Sequence, residues 1–168
     1  MPDLLQLLDS YLKDHFAGAT AGRDLFRRTA DSHAGTDLGA ALGALADEVD
    51  SDRDTLLTIM RDLGVEASTA RAVAGAVVER VGRLKTNATV VTRSPLTDVV
   101  ELEALRMAVA AKACSCEALL AASVAEHRLS KVTLEELLAR AHDQLDRLRD
   151  LHLQVARQRF VDAAGGRP

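Results

Sequence analysis

Two carboxylates, a lysine and a histidine are the residues of this sequence that could do chemistry inside a helical protein. Glu48 and Asp52 stand four positions apart, so a helix places them on one face. With the imidazole of His15 they could bind a metal ion or act as general bases. With the ammonium group of Lys112 they could form an ion pair. A di-metal site in a four-helix bundle also needs a Glu-x-x-His motif on each of two helices. Because no such motif occurs in the sequence, we expect no metal ligand, no cofactor and no catalytic residue.

Four long helices must position these residues. In each of four segments, apolar side chains recur at the spacing of one helix face. Thr36 is placed to cap the second helix, Gly64 to end it, and Thr133 to cap the fourth. The dipeptide Ser94-Pro95 is placed to begin the third helix. The predicted helices span about residues 2–30, 37–63, 95–126 and 133–160.

Residues 65–94 form a long connection between the second and third helices. Residues 68–84 have the pattern of a shorter amphipathic helix, and residues 86–94 have that of a loop. Such a connection can return the chain to the other end of a bundle, so that the second and third helices run in the same direction. The sequence therefore predicts an all-α, up-down-down-up four-helix bundle with a helix-containing crossover. We expect one domain over residues 1–162 and a flexible tail at residues 163–168.

Lys112 interrupts the apolar face of the third helix. Val109 and Cys116 lie on the same face at helical spacing. Counting along two helices that run in the same direction puts Asp52 within a turn of Lys112. An unpaired buried charge is strongly unfavourable, so we expect Lys112 to reach Glu48 or Asp52. The favoured interpretation is an ion pair that fixes helix register, and the alternative is a proton-handling lysine.

His15 completes the candidate polar cluster with Glu48, Asp52 and Lys112. It falls on the inner face of the first helix, on the same side as Tyr11. We expect the imidazole to be hydrogen-bonded to a carboxylate. A role as a metal ligand or a general base is the alternative.

Composition excludes several functional classes. The net charge of −4 and an aromatic content of 2% argue against a dedicated nucleic-acid binder. No apolar run approaches the length of a membrane span, and the first residues lack the pattern of a signal peptide. Cys114 and Cys116 stand two apart on one helix and cannot pair with each other, which fits a reducing compartment. We expect a cytoplasmic protein that binds neither nucleic acid nor a membrane.

Three segments carry a resemblance to known proteins. They are Tyr11-Leu-Lys-Asp-His15 followed by Gly18 and Gly22, the stretch from Thr36 to Glu48, and Ser94-Pro-Leu followed by Glu101-Leu-Glu-Ala-Leu-Arg106. Together with the helix layout they make residues 3–160 resemble the ferritin-like superfamily. More narrowly, the chain resembles uncharacterised actinobacterial ferritin-like proteins that lack the di-metal Glu-x-x-His motifs. The resemblance implies a ferritin-like fold, and it implies no activity, metal or ligand.

Three functions are consistent with these features. The first is a non-enzymatic ferritin-like bundle with a structural or partner-binding role, which could form a homodimer or bind another protein. The second is an atypical metal-binding or oxidoreductase-type enzyme that uses Glu48, Asp52 and His15. The third is a binder of apolar small molecules, because helix faces rich in alanine and glycine could leave a cavity.

Overall fold

The predicted all-α class is confirmed by a computed structural model, which describes residues 3–67, 94 and 96–165. In that part of the chain there are four helices and no strand. They are α1 (Leu4–Ser32), α2 (Asp37–Asp62), α3 (Thr97–Ala122) and α4 (Lys131–Gly165). The predicted crossover helix at residues 68–84 and most of the loop after it lie outside the described residues.

Helix ends follow local hydrogen bonding. At the start of α1, the Asp3 carboxylate accepts from the backbone N–H of Gln6 at 2.8 Å, and the Gln6 side chain accepts in turn from the Asp3 backbone. The predicted cap of α2 is confirmed, since the Thr36 hydroxyl accepts from the backbone N–H of Gly39 at 3.1 Å. The predicted stop at Gly64 is also confirmed. This residue has φ +74°, a conformation that glycine adopts without strain.

Several helix boundaries differ from the predicted ones by two residues or more. The third helix ends at Ala122 rather than near residue 126, and in the turn that follows the Glu126 carboxylate accepts from the backbone N–H of Arg128. Ser130 begins α4 earlier than predicted, since its hydroxyl accepts from the backbone N–H of Thr133. At its other end α4 continues to Gly165, into the predicted tail, where alanines favour the helix.

The helices pack as two hairpins. The first hairpin is α1 on α2, the second is α3 on α4, and α1 also lies beside α3. Two apolar clusters fill the core. One contains Leu12, Met60 and Leu134, and the other contains Phe26, Leu42, Leu45, Leu102, Leu105 and Leu148, all of them fully buried. The backbones of α2 and α4 approach each other closely at few points, and both apolar clusters contain side chains from these two helices.

Contacts at the two ends of the bundle show which helix ends lie together. The Asp98 carboxylate, near the start of α3, is 3.3 Å from Nε2 of His33 in the α1–α2 turn. It also lies 2.5 Å from Nη2 of Arg159, late in α4. At the opposite end, Arg128 in the α3–α4 turn donates to the carbonyl oxygen of Leu63 at 3.4 Å. The start of α3 is therefore near the start of α2.

None of the four described helices is both long enough and apolar enough to cross a membrane.

Candidate functional site

Asp52 lies at the centre of a buried polar network. Only 3% of the residue is exposed, and both carboxylate oxygens accept hydrogen bonds from other helices. Lys112 Nζ on α3 donates to Oδ2 at 2.6 Å. From α4, Arg140 Nε donates to Oδ1 at 2.7 Å and Gln144 Nε2 donates to Oδ2 at 3.1 Å. Three donors, two of them cationic, therefore compensate the buried negative charge.

Gln144 connects the rest of this network. It is fully buried, and its Oε1 accepts from Lys112 Nζ at 2.5 Å while its Nε2 also donates to Glu48 at 3.1 Å. The other oxygen of Glu48 accepts from Arg147 Nη1 at 2.7 Å, and this hydrogen bond raises the pKa of Arg147. We call this set the Asp52 network. Its members are Glu48, Asp52, Lys112, Arg140, Gln144 and Arg147.

The Asp52 network does not fit a metal ion. A divalent cation needs carboxylate lone pairs directed at it, whereas those of Asp52 accept from Lys112, Arg140 and Gln144. Three cationic side chains already surround two carboxylates, so a further cation would meet strong repulsion. The ammonium group of Lys112 lies against Asp52 Oδ2 and Gln144 Oε1, where it compensates the carboxylate.

The structure brings together three of the four residues in the predicted cluster and leaves out His15. The imidazole packs against the Tyr11 ring, with centroids 4.4 Å apart, and it makes no hydrogen bond to any described residue. The predicted bond to a carboxylate was therefore wrong for the described part of the chain. Burial lowers the pKa of His15 below its ordinary value of 6.5, and the nearby Asp14 carboxylate opposes that change.

His15 instead lies on the wall of a cavity of about 610 Å³. Asp52 and Lys112 line the same cavity, which reaches from the gap between α1 and α3 into the bundle. Most of the remaining wall is aliphatic, including Leu56, Ile59 and several alanines. The Asp52 network thus borders an apolar space on one side.

Three members of the Asp52 network were missed in the sequence, all of them on α4. Gln144 could have been identified from the sequence, because it interrupts the apolar series Leu137, Ala141 and Leu148 at helical spacing. No sequence pattern points to Arg140 or Arg147. They are 43% and 38% exposed and look like ordinary surface arginines until α2 is placed beside them.

A second group of ligand-type residues lies at the end of the bundle. His33, Asp98 and Glu101 each offer a ligand atom within 4.8 Å of the others. Asp98 is 4% exposed and is already paired with the guanidinium group of Arg159, just as Asp52 is paired with Lys112.

The two cysteines are unpaired, as predicted. Cys114 is exposed and Cys116 is buried, and burial raises the pKa of the Cys116 thiol, which disfavours the reactive thiolate.

We predict that Lys112 and Asp52 are energetically coupled. Lys112→Met leaves a buried carboxylate with one cation fewer, and Asp52→Asn leaves an ammonium group without its carboxylate. Each single change should lower the free energy of unfolding by ~2–4 kcal/mol. The double variant should lose at least ~1 kcal/mol less than the sum of the single losses. Urea unfolding of the four proteins measures the difference.

The pair Lys13–Asp9 on the surface of α1, with side chains 25% and 40% exposed and N and O 2.8 Å apart, is the matched control. Lys13→Met should change the free energy of unfolding by at most ~0.5 kcal/mol. Additive effects of Lys112→Met and Asp52→Asn would contradict the coupling.

The pKa of His15 predicts a pH effect on stability. Since the folded-state pKa is lowered, the unfolded chain takes up a proton near pH 6.5 while the folded imidazole is still neutral. The stability that His15 contributes is present above its unfolded pKa and is lost as pH falls toward the folded pKa. His15→Gln removes this loss, so its Tm should fall less than that of the wild type between about pH 7.5 and about pH 5.5. Equal falls in calorimetry would contradict a buried neutral imidazole.

Comparisons with models of protein families, with curated proteins and with solved structures gave no match to this chain. No residue role can therefore be transferred from a relative, and the function has to be argued from the geometry of the chain itself.

Proposed function

We propose that this protein is a ferritin-like bundle without catalytic activity, which acts by binding. Four helices in two hairpins are consistent with that fold. The contact of Asp98 with His33 and the contact of Arg128 with Leu63 support second and third helices that run in the same direction. In this proposal residues 65–94 form the crossover of an up-down-down-up topology, as the resemblance to actinobacterial ferritin-like proteins implies.

One observation carries the proposed lack of catalysis. Both oxygens of Asp52 are hydrogen-bonded to side chains of the protein, and Lys112 occupies the centre of the polar interior. A catalytic carboxylate needs a lone pair that faces substrate, metal or water, and here about three of the four lone-pair sites of Asp52 accept from the network. The network therefore supports helix register rather than chemistry.

The alternative of an atypical metal-binding or oxidoreductase-type enzyme is less well supported. It would use Glu48, Asp52 and His15 together, and His15 makes no hydrogen bond to either carboxylate. The lowered pKa of His15 favours a neutral imidazole, which could bind a metal, but Asp52 and Glu48 are paired with cations. The alternative of an apolar small-molecule binder is favoured by the cavity beside His15.

The metal content of the protein tests the lack of a metal site. After incubation with Fe(II), Mn(II) or Zn(II) and buffer exchange, we expect elemental analysis to give far less than one metal per chain. Any residual metal should be bound by the group at His33 and should disappear in Asp98→Asn. Stoichiometric metal that is lost in Asp52→Asn and kept in Asp98→Asn would overturn the proposal.

We also propose that the chain forms a homodimer through one side of α3. Leu96, Val100 and Met107 lie within a narrow arc of that helix and are 50%, 39% and 62% exposed. Ala104 and Ala111 lie in the same arc, so no charge interrupts it. Contiguous apolar surface of this kind is typical of association sites.

A cytoplasmic location and the lack of nucleic-acid binding rest on composition alone and stay predictions.

Light scattering after size-exclusion chromatography tests the homodimer. The wild type should have twice the 18.0 kDa mass of the chain. Val100→Asp introduces a charge into the apolar arc and should give the monomer mass. Val124→Asp is the matched control, because Val124 is 81% exposed and lies after the end of α3. A wild-type monomer, or loss of the dimer in both variants, would contradict this interface.

A further inference from the structure

The cavity between α1 and α3 has the size and the wall of a small-molecule site. Its volume of about 610 Å³ falls within the ~300–1,000 Å³ that such sites occupy. The wall is mostly aliphatic, with Leu25, Ile59 and Leu119 among its larger side chains. Among the described residues, no phenylalanine or tyrosine lines it. A wall of this kind suits an aliphatic ligand better than an aromatic one, which would gain from ring stacking.

Two glycines on α1 keep this cavity wide. A Cβ added at Gly18 would have no heavy atom within 4 Å, and one added at Gly22 would meet Ala108 Cβ at an ordinary 3.6 Å. Packing therefore does not require glycine at position 18. Glycine within a helix is also less favourable than alanine. The chain thus keeps open space here although a larger residue would fit and would favour the helix.

Polar groups on the wall can recognise an acidic head group. Lys112 uses two of its three N–H donors, on Asp52 and Gln144, which leaves one for a ligand. Arg53 lines the same cavity, and His15 offers an imidazole with no hydrogen bond to a described residue. Of the two carboxylates on the wall, that of Asp52 is compensated by its own donors. Because Lys112 and Arg53 bring positive charge to the wall and the charge of Asp52 is already compensated, the wall favours a ligand with a negative charge.

We propose that this cavity binds a small molecule with an aliphatic body and one carboxylate, of the fatty-acid class. The apolar body would replace water against the aliphatic wall. The carboxylate would accept from the free N–H of Lys112 and from His15 or Arg53. This inference rests on the proposed binding function and gives it a ligand class.

Isothermal titration of delipidated protein with decanoate tests this inference, with decan-1-ol as the uncharged comparison. We expect one decanoate per chain, and decan-1-ol should bind at least ~10-fold more weakly because it lacks the charge that Lys112 would meet.

Gly18→Leu should fill the cavity and weaken decanoate binding by at least ~10-fold. Gly43→Leu is the matched control, since Gly43 is also a helical glycine with nothing within 4 Å of an added Cβ, and it does not line the cavity. Its affinity should equal that of the wild type. Circular dichroism checks that both variants fold, and Gly18→Ala provides the same comparison with a smaller side chain.

Three results would overturn the inference. They are no decanoate binding by the wild type, equal binding by Gly18→Leu and Gly43→Leu, and binding only by the monomeric Val100→Asp variant, which would assign the cavity to the dimer interface. None of these results bears on catalysis, which the metal measurement decides separately. A protein free of metal that does not bind decanoate would keep the proposed lack of catalysis and lose only the ligand.

Discussion

Burial of the Asp52 carboxylate is the constraint on which the arrangement of α2, α3 and α4 depends. A carboxylate that is 3% exposed is stable only if cations and N–H donors reach it. Lys112 reaches it from α3, and Arg140 and Gln144 reach it from α4. Since the backbones of α2 and α4 are close at few points, these long side chains contribute to the register between the two hairpins, together with the apolar clusters.

The buried charge of Asp52 also divides the interior into two regions, one with a structural role and one where we propose binding. Inside the bundle, every charge of the Asp52 network has a partner, so the network joins α2, α3 and α4. On the α1 side, His15 and the glycines border open space instead. Lys112 belongs to both regions, because it binds Asp52 and also lines the cavity. A ligand at this wall would therefore contact the network that sets the register of the helices.

The surface of α3 explains why binding is expected on this side of the molecule. Leu102, Leu105 and Val109 face the core, while Val100 and Met107 are exposed. A helix that is apolar on most of its circumference is normally covered on most sides. Among the described residues, the exposed arc and the cavity wall meet at Ala104, Met107 and Ala111, so the proposed homodimer would lie at the edge of the proposed ligand site.

The sequence by itself determined the four helices, the cap at Thr36, the stop at Gly64 and the need of Lys112 for a carboxylate partner. These features depend on periodicity, on hydrogen bonds within four residues and on the cost of burying a charge. Only the tertiary structure decided that Arg140 and Arg147 would join the network and that His15 would stand apart from it. It also decided that a cavity would open beside Gly18. The physical reason is that long side chains find partners, and voids form, according to the separation and rotation of whole helices, which no local pattern encodes.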